Sequence, residues 1–278
     1  MIRPYRLPFA AALLGLLLAG ASCLVAEEPT VTARLNLPYK ESSATLTDYE
    51  TTRCKLDLYT PAGPRAPLPV IVWFHGGGIT AGDKGSKDTT AVVTRMAQDG
   101  FLVASVNYRL SPKATYPAYL EDAAAAVAWV LKNAADHGGD PKKVFVAGHS
   151  AGGYLTTMLA LDERYLGKHN LKPGDLCGYI PVAGQMITHA AVRAERGIAK
   201  TTMIVDEAAP LYHVRSDIPP CSSSMRRRTC FCGLKKTASL PRLSPPQAAR
   251  TSRSGRWTAT TTAAWATAWP TPTTLAAP

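Results

Sequence analysis

Two short stretches of this chain hold residues that could carry out acyl transfer. One is Gly148-His149-Ser150-Ala151-Gly152, which follows the apolar run 143–147 and precedes the mostly apolar run 153–161. That order reads as strand, tight turn and helix, and a serine on such a turn is lifted clear of the sheet. The free N–H groups at the start of the helix point at the same spot. The other stretch is His75-Gly76-Gly77-Gly78, directly after the apolar run 68–74. Acyl transfer needs a nucleophile, a base for its proton, and donors aimed at the oxyanion. Ser150 Oγ supplies the first. The backbone N–H groups of Ala151, Gly77 and Gly78 supply the donors, with Gly76 as a further option in the same loop. No Gly-Lys-Ser/Thr follows the triple glycine, which turns the reading away from a phosphate cradle. His75 precedes the nucleophile and reads as ordering its own loop. His149 reads as a packing residue of the turn. Asp83 either fixes the glycine loop or is an exposed loop carboxylate. Asn107-Tyr108-Arg109-Leu110 and Glu121-Asp122 read as braces for the surrounding loops.

These groups need elements to hold them. Residues 31–43 have strand character, and 53–59 alternate as a strand that the turn Pro61-Ala62-Gly63-Pro64 stops. The runs 68–74 and 101–107 are short and apolar, as expected of strands buried on both faces. Helices are expected over 89–98 and over the alanine-rich 120–135. Gly138-Gly139-Asp140-Pro141 should break the chain before a strand at Val144, and 178–183 reads as a further strand. The segment 185–205 reads as a partly helical insertion that could cover the site. Strands alternating with helices indicate an α/β fold, a mostly parallel sheet with helices on both faces. Reactive groups gather at the carboxyl ends of such strands, where both motifs lie.

The chain has 278 residues, 31 Lys and Arg, 20 Asp and Glu, and a formal charge of +11. The excess sits at the two ends. Arg3 and Arg6 open the chain and nine further Lys or Arg follow Asp217, while every acid lies between Glu27 and Asp217. The middle is therefore neutral and gives no support for nucleic-acid binding, and the basic tail shows no nucleic-acid-binding fold signature. Arg3 and Arg6, the apolar run 9–18 and Ala19-Gly20-Ala21 have the layout of a secretory signal over 1–26. That run is shorter than the ~20 residues of a membrane span. Cys23 after Gly20-Ala21-Ser22 approximates a lipoprotein cleavage site, so the expectation is an exported protein with lipid attachment at Cys23 as an option. Of the six cysteines, Cys54 and Cys177 alone belong to the central part, and Cys230-Phe231-Cys232 lacks the spacing and partner pair of a zinc site. No metal site is expected.

His75-Gly76-Gly77-Gly78, the stretch 107–112, Tyr116-Pro117, Glu121-Asp122 and the stretch 148–153 together resemble the α/β-hydrolase esterases. The likeness is to the branch with the hormone-sensitive-lipase-like and feruloyl or acetyl esterases and the arylformamidases, and it runs from about residue 49 to 220. The resemblance implies a Ser–Asp–His triad in that chain order. It implies hydrolysis of a short-chain or aryl ester without a cofactor, or of an aryl formamide by the same mechanism. It also implies a strand just after Pro220, an acid beyond it and a histidine near the end.

Neither of those two residues is in the sequence: from Pro219 to Pro278 there is no Asp, Glu or His. Arginine runs and Ser/Thr/Pro-rich stretches replace any helical or strand period, as in a segment without a packed core. The hydrolase domain is therefore expected over 27–220 and incomplete, with 221–278 a disordered basic tail. The triad Asp and His have no identifiable counterpart. Asp175, Asp206, Asp217, His169, His189 and His213 follow Ser150 but stand outside the family pattern. A frame slip near Pro220 explains the break. If the original frame starts at the third base of each present codon and the serines use their four-codon box, the codons from Pro220 to Met225 give four apolar residues, then His, Asp, Asn or Tyr. Trp257-Thr258 gives Asp, and the codons from Thr258 to Ala263 permit a histidine. A chain that keeps the pocket without the triad would be a binding protein rather than an enzyme.

Overall fold

The computed structural model describes residues 29–41, 45–63, 67–199 and 201–214. The expected leader, Cys23, Asp217 and the tail 221–278 lie outside the described residues. Six strands, β1 (Val31–Pro38), β2 (Lys55–Pro61), β3 (Leu68–Phe74), β4 (Leu102–Val106), β5 (Gly139–His149) and β6 (Gly178–Val182), form one sheet in the order β1-β2-β4-β3-β5-β6. β4, β3, β5 and β6 run parallel, whereas β1 and β2 add an antiparallel edge. The sheet is mostly parallel, as expected. Among the described residues, the outer side of β6 has no strand beside it.

Successive strand residues face opposite ways, so the sheet sorts its side chains between two cores. Val70, Val72, Phe74 and Val146 enter the larger core with residues of α3 (Ala118–Asn133) and α4 (Ala151–Leu161). Ile71, Trp73, Val103 and Ala147 form the other with Val93 and Ala97 of α2 (Lys87–Gln98). Helices therefore cover both faces. Every residue of α4 is buried, so this helix is enclosed by protein rather than amphipathic.

The strand expected from Arg53 begins two residues later, because a short helix, α1 (Asp48–Arg53), precedes it. Thr47 caps that helix. Its hydroxyl accepts from the Glu50 N–H at 3.2 Å, and the Glu50 carboxylate accepts from the Thr47 N–H at 3.1 Å. The Gly138–Pro141 break also falls differently. β5 already starts at Gly139, which pairs with Leu68, and a register shift follows before Val70 meets Val144. α5 (Glu163–Gly167) follows α4, and α6 (Ala190–Glu195) is the α-helix of the insertion 185–205 among the described residues.

Candidate functional site

β3 and β5 are neighbours, and Phe74 lies opposite Gly148 in their register. The glycine loop and the serine turn therefore leave the sheet side by side at its carboxyl end. Ser150 has φ 55° and ψ −112°, a conformation that costs a non-glycine residue on the order of 1–3 kcal/mol. Its N–H donates to Val182 O at 2.8 Å, and its carbonyl accepts from the Tyr154 N–H at 3.0 Å. β6 and α4 thus hold the strained turn in place.

The flanking glycines are required by space. A Cβ on Gly152 would lie 2.0 Å from Phe74 O, one on Gly148 2.5 Å from Gly152 O, and one on Gly153 2.7 Å from Val182 O. Their bare backbones let α4 start against the ends of β3 and β6, with its first N–H groups beside the serine.

Gly77 has φ 114° and Gly78 φ 63°, and a Cβ on Gly77 would lie 2.1 Å from Ala81 O. A Cβ on Gly76 would lie 3.5 Å from Ser150 Cβ and 3.2 Å from His149 Nδ1, so loop, serine and His149 meet here. His149 does not pack, contrary to expectation. It is the last residue of β5, and at the rim of the sheet its side chain is exposed.

The loop is held from behind. His75 is buried and stacks on Tyr108 at 4.5 Å, while Tyr108 Oη donates to His75 O at 2.8 Å. Arg53 Nη2 lies 3.2 Å from His75 Nε2. A guanidinium can only donate, so Nε2 accepts and Nδ1 carries the proton given to Gly76 O at 2.6 Å. Burial, reinforced by the Arg53 charge, holds the His75 pKa down at about 4. This histidine orders its loop, as expected. Asp83 fixes the loop as well, accepting from Arg53 at 2.8 Å, Asn107 Nδ2 at 2.7 Å and the Gly85 N–H at 2.8 Å. Asn107 Oδ1 accepts from the Lys84 N–H at 2.7 Å, and buried Lys84 Nζ pairs with Asp57 at 2.7 Å. Arg109 grips Asp122 with two bonds of 2.8 Å, and Lys40 reaches both Asp122 and Glu50 at 2.6 Å. Asn107, Arg109 and Asp122 are the expected braces. Glu121 stands apart from them, paired with Lys168 at 2.6 Å.

Among the described residues, the candidate histidines and acids that follow Ser150 stand elsewhere. Asp206 accepts from Thr188 Oγ1 at 2.7 Å, the Ala208 N–H at 2.9 Å and Arg196 at 2.7 Å. Asp175 accepts from the Lys172 N–H at 2.7 Å. His213 does meet a carboxylate, Asp162 Oδ2 at 3.5 Å, but Asp162 caps the far end of α4. Eleven helical residues separate that end from Ser150, a span of ~17 Å at about 1.5 Å per residue. His169 lines a groove with Tyr39, Lys40 and Trp129. His189 is buried against Tyr154, 4.9 Å between rings, and its Nδ1 accepts from the Ala191 N–H at 3.1 Å.

Burial also holds the His189 pKa down at about 4, which makes acid stability a test of both buried histidines. Each is neutral in the fold, while the unfolded chain takes up the proton near the usual value of about 6.5. Stability is therefore full above about pH 6.5 and falls as the pH drops toward about 4, by about 3 kcal/mol for each histidine. Urea unfolding at about pH 7.5 and about pH 5 should show more than half of that loss. His189→Asn, which keeps an acceptor at the helix start, should remove its share.

Residues 56–173 match the BD-FAE family model. Carboxylesterase NlhH of Mycobacterium tuberculosis is 42% identical over 110 residues, 40% of this chain and 34% of that protein. Esterase LipI of the same organism is 41% identical over 103 residues, 37% of this chain and 32% of that protein. The chain thus spans about a third of the length of these curated relatives. A truncated carbohydrate esterase from gut microbiota superposes with a TM-score of 0.57 at 21% identity, over 71% of this chain and 78% of that one. The chain has the α/β-hydrolase fold. Esterase B from Lactobacillus rhamnosis, solved in an inhibited form, superposes with a TM-score of 0.56 at 21% identity over 71% and 66% of the two chains. Within the α/β-hydrolase fold, β3 carries the glycine loop and β5 the serine turn. Arg53, Asp57, Lys84 and α1 are loop supports that sequence reasoning misses. The pattern Thr47-x-x-Glu50 is the signal for α1, while nothing in the sequence marks Asp57 and Lys84 as partners. Among the described residues no group of three or more His, Cys, Asp or Glu could hold a metal, and no helix is long and apolar enough to cross a membrane.

Proposed function

We propose that this chain is a serine carboxylic-ester hydrolase by descent, with Ser150 as nucleophile and the N–H groups of Gly77, Gly78 and Ala151 as the oxyanion hole. The observation that carries the reading is the strained turn at Ser150, kept at φ 55° beside the glycine loop and at the start of α4. Ser150 Oγ attacks the ester carbonyl, its proton passes to a base, and the carbonyl oxygen becomes an anion. Each donor to that anion is typically worth about 3 kcal/mol in the transition state. The alcohol then leaves with a proton, and water releases the acyl group by the same route in reverse.

The base and the acid that orients it are the weak points. His169, His189 and His213 hold other positions, and the tail from Pro219 contains no His, Asp or Glu. We attribute this to a frame slip near Pro220, so the chain as written is an impaired hydrolase. Loss of the triad still leaves oxyanion-hole catalysis at a small fraction of the full rate. A pocket retained for binding alone is the second reading, favoured by the missing base. A fluorophosphonate probe separates the two. Slow labelling of the written chain that disappears in Ser150→Ala supports the hydrolase, and no labelling at millimolar probe leaves the binding protein. Parallel assays of nitrophenyl acetate and an aryl formamide then separate esterase from amidase. The N-terminal pattern supports export, with Cys23 as the site of a lipid anchor if the cleavage falls before it.

A further inference from the structure

Arg53 sits at the end of α1, and its guanidinium reaches four separate points of the site's scaffold. Nε donates to Tyr108 O at 3.1 Å, Nη1 to Asp83 Oδ2 at 2.8 Å, and Nη2 to both Gly82 O at 2.7 Å and His75 Nε2 at 3.2 Å. Three of the four partners belong to one segment, 75–83. His75 opens the glycine loop; Gly82 and Asp83 close it. The two ends also touch, since a Cβ on Gly82 would lie 2.3 Å from Gly76 O. One side chain therefore ties the loop shut. The fourth partner, Tyr108, supports the same loop from below through its stack and its hydroxyl on His75.

We propose that Arg53 is a positioning residue for the oxyanion loop, setting the direction of the Gly77 and Gly78 N–H groups through His75, Gly82 and Asp83. This rests on the reading of that loop as an oxyanion hole. Geometry limits the substitutes. The planar fork supplies donors in several directions at once, whereas a lysine supplies its donors from a single nitrogen and cannot span carboxylate, carbonyl and imidazole together. Arg53 at Nε2 keeps the His75 proton on Nδ1, and its charge adds to burial in keeping the ring neutral. The charged and titratable groups facing that ring are Arg53 from α1, Asp83 from the loop and the stacked Tyr108 just after β4.

The test uses the full chain as written, with Arg53→Ala and Arg53→Lys. Hydrogen exchange should accelerate at least about tenfold over 75–85 in Arg53→Ala while α4 keeps its protection. The His75 imidazole, followed by NMR, should titrate higher than in the parent. Fluorophosphonate labelling of Ser150 should slow about tenfold and recover when methylguanidinium is added, with Arg53→Lys recovering less than about half of the rate. Unchanged exchange over 75–85 and an unchanged His75 titration in Arg53→Ala would overturn the proposal. So would labelling that slows without guanidinium rescue while the loop stays protected. If the parent chain is not labelled at all, the hydrolase reading fails, and exchange with the His75 titration still decides the role of Arg53. Should Arg53→Ala not fold, Arg53→Lys carries the same three measurements.

Discussion

Under the proposed frame slip, restoring the upstream reading frame beyond Pro220 is expected to raise hydrolysis of nitrophenyl acetate at least about 10³-fold over the chain as written. The size follows from what the written chain has and lacks. Ser150 and the glycine loop are in place on adjacent strands, so under the proposed reading the donors and the attacking oxygen are already supplied. On the same reading, what is missing is the group that takes the proton from Ser150 Oγ and returns it to the alcohol. With serines in their four-codon box, the restored frame after Pro220 reads as an apolar run followed by a position that admits Asp, and the codons near Thr260 admit His. Ser150→Ala in the restored protein should remove the whole gain. If the restored protein is folded and no faster than the written one, the frame slip does not account for the missing base.

The second large effect concerns Gly152. Gly152→Ala places a Cβ 2.0 Å from Phe74 O, 2.6 Å from Phe74 C and 2.9 Å from His75 O. All three are backbone atoms at the end of a central strand, so no rotamer change relieves the clash. The start of α4 must retreat, pulling a fully buried helix off the sheet. A loss above about 4 kcal/mol is expected, beyond the ~1–3 kcal/mol usual for overpacked cores, because backbone rather than side chains must move. Gly167→Ala is the control: nothing lies within 4 Å of its Cβ position, and it should be neutral or slightly stabilising. Equal melting temperatures for the two variants would refute the steric argument.

The parts of this fold that are legible in the sequence are those set by local pattern. Apolar runs mark β3 and β4 because those strands are covered on both faces, and the helices α2 and α3 fall within two residues of their expected ends. The antiparallel edge is not legible. β1 pairs with β2 across a helix whose local signal is Thr47 and Glu50, and strand direction is decided by pairing rather than composition. In the site, Ser150 and the glycines are visible because small residues at fixed offsets have few other uses. Arg53, Asp57 and Lys84 are not, since a buried ion pair whose members stand 27 residues apart has no pattern of its own. The His149 expectation fails for a related reason: the last residue of a strand can face the core or the rim, and the offset alone does not choose.

The outer side of β6 has a colloidal consequence. No described strand lies along it, and the segment that follows exposes Met186, Met203, Val205, Leu211, Tyr212 and Val214. A sheet edge with no strand along it is a template for pairing with a second chain. Light scattering against concentration therefore reports on what lies along β6 without any substrate.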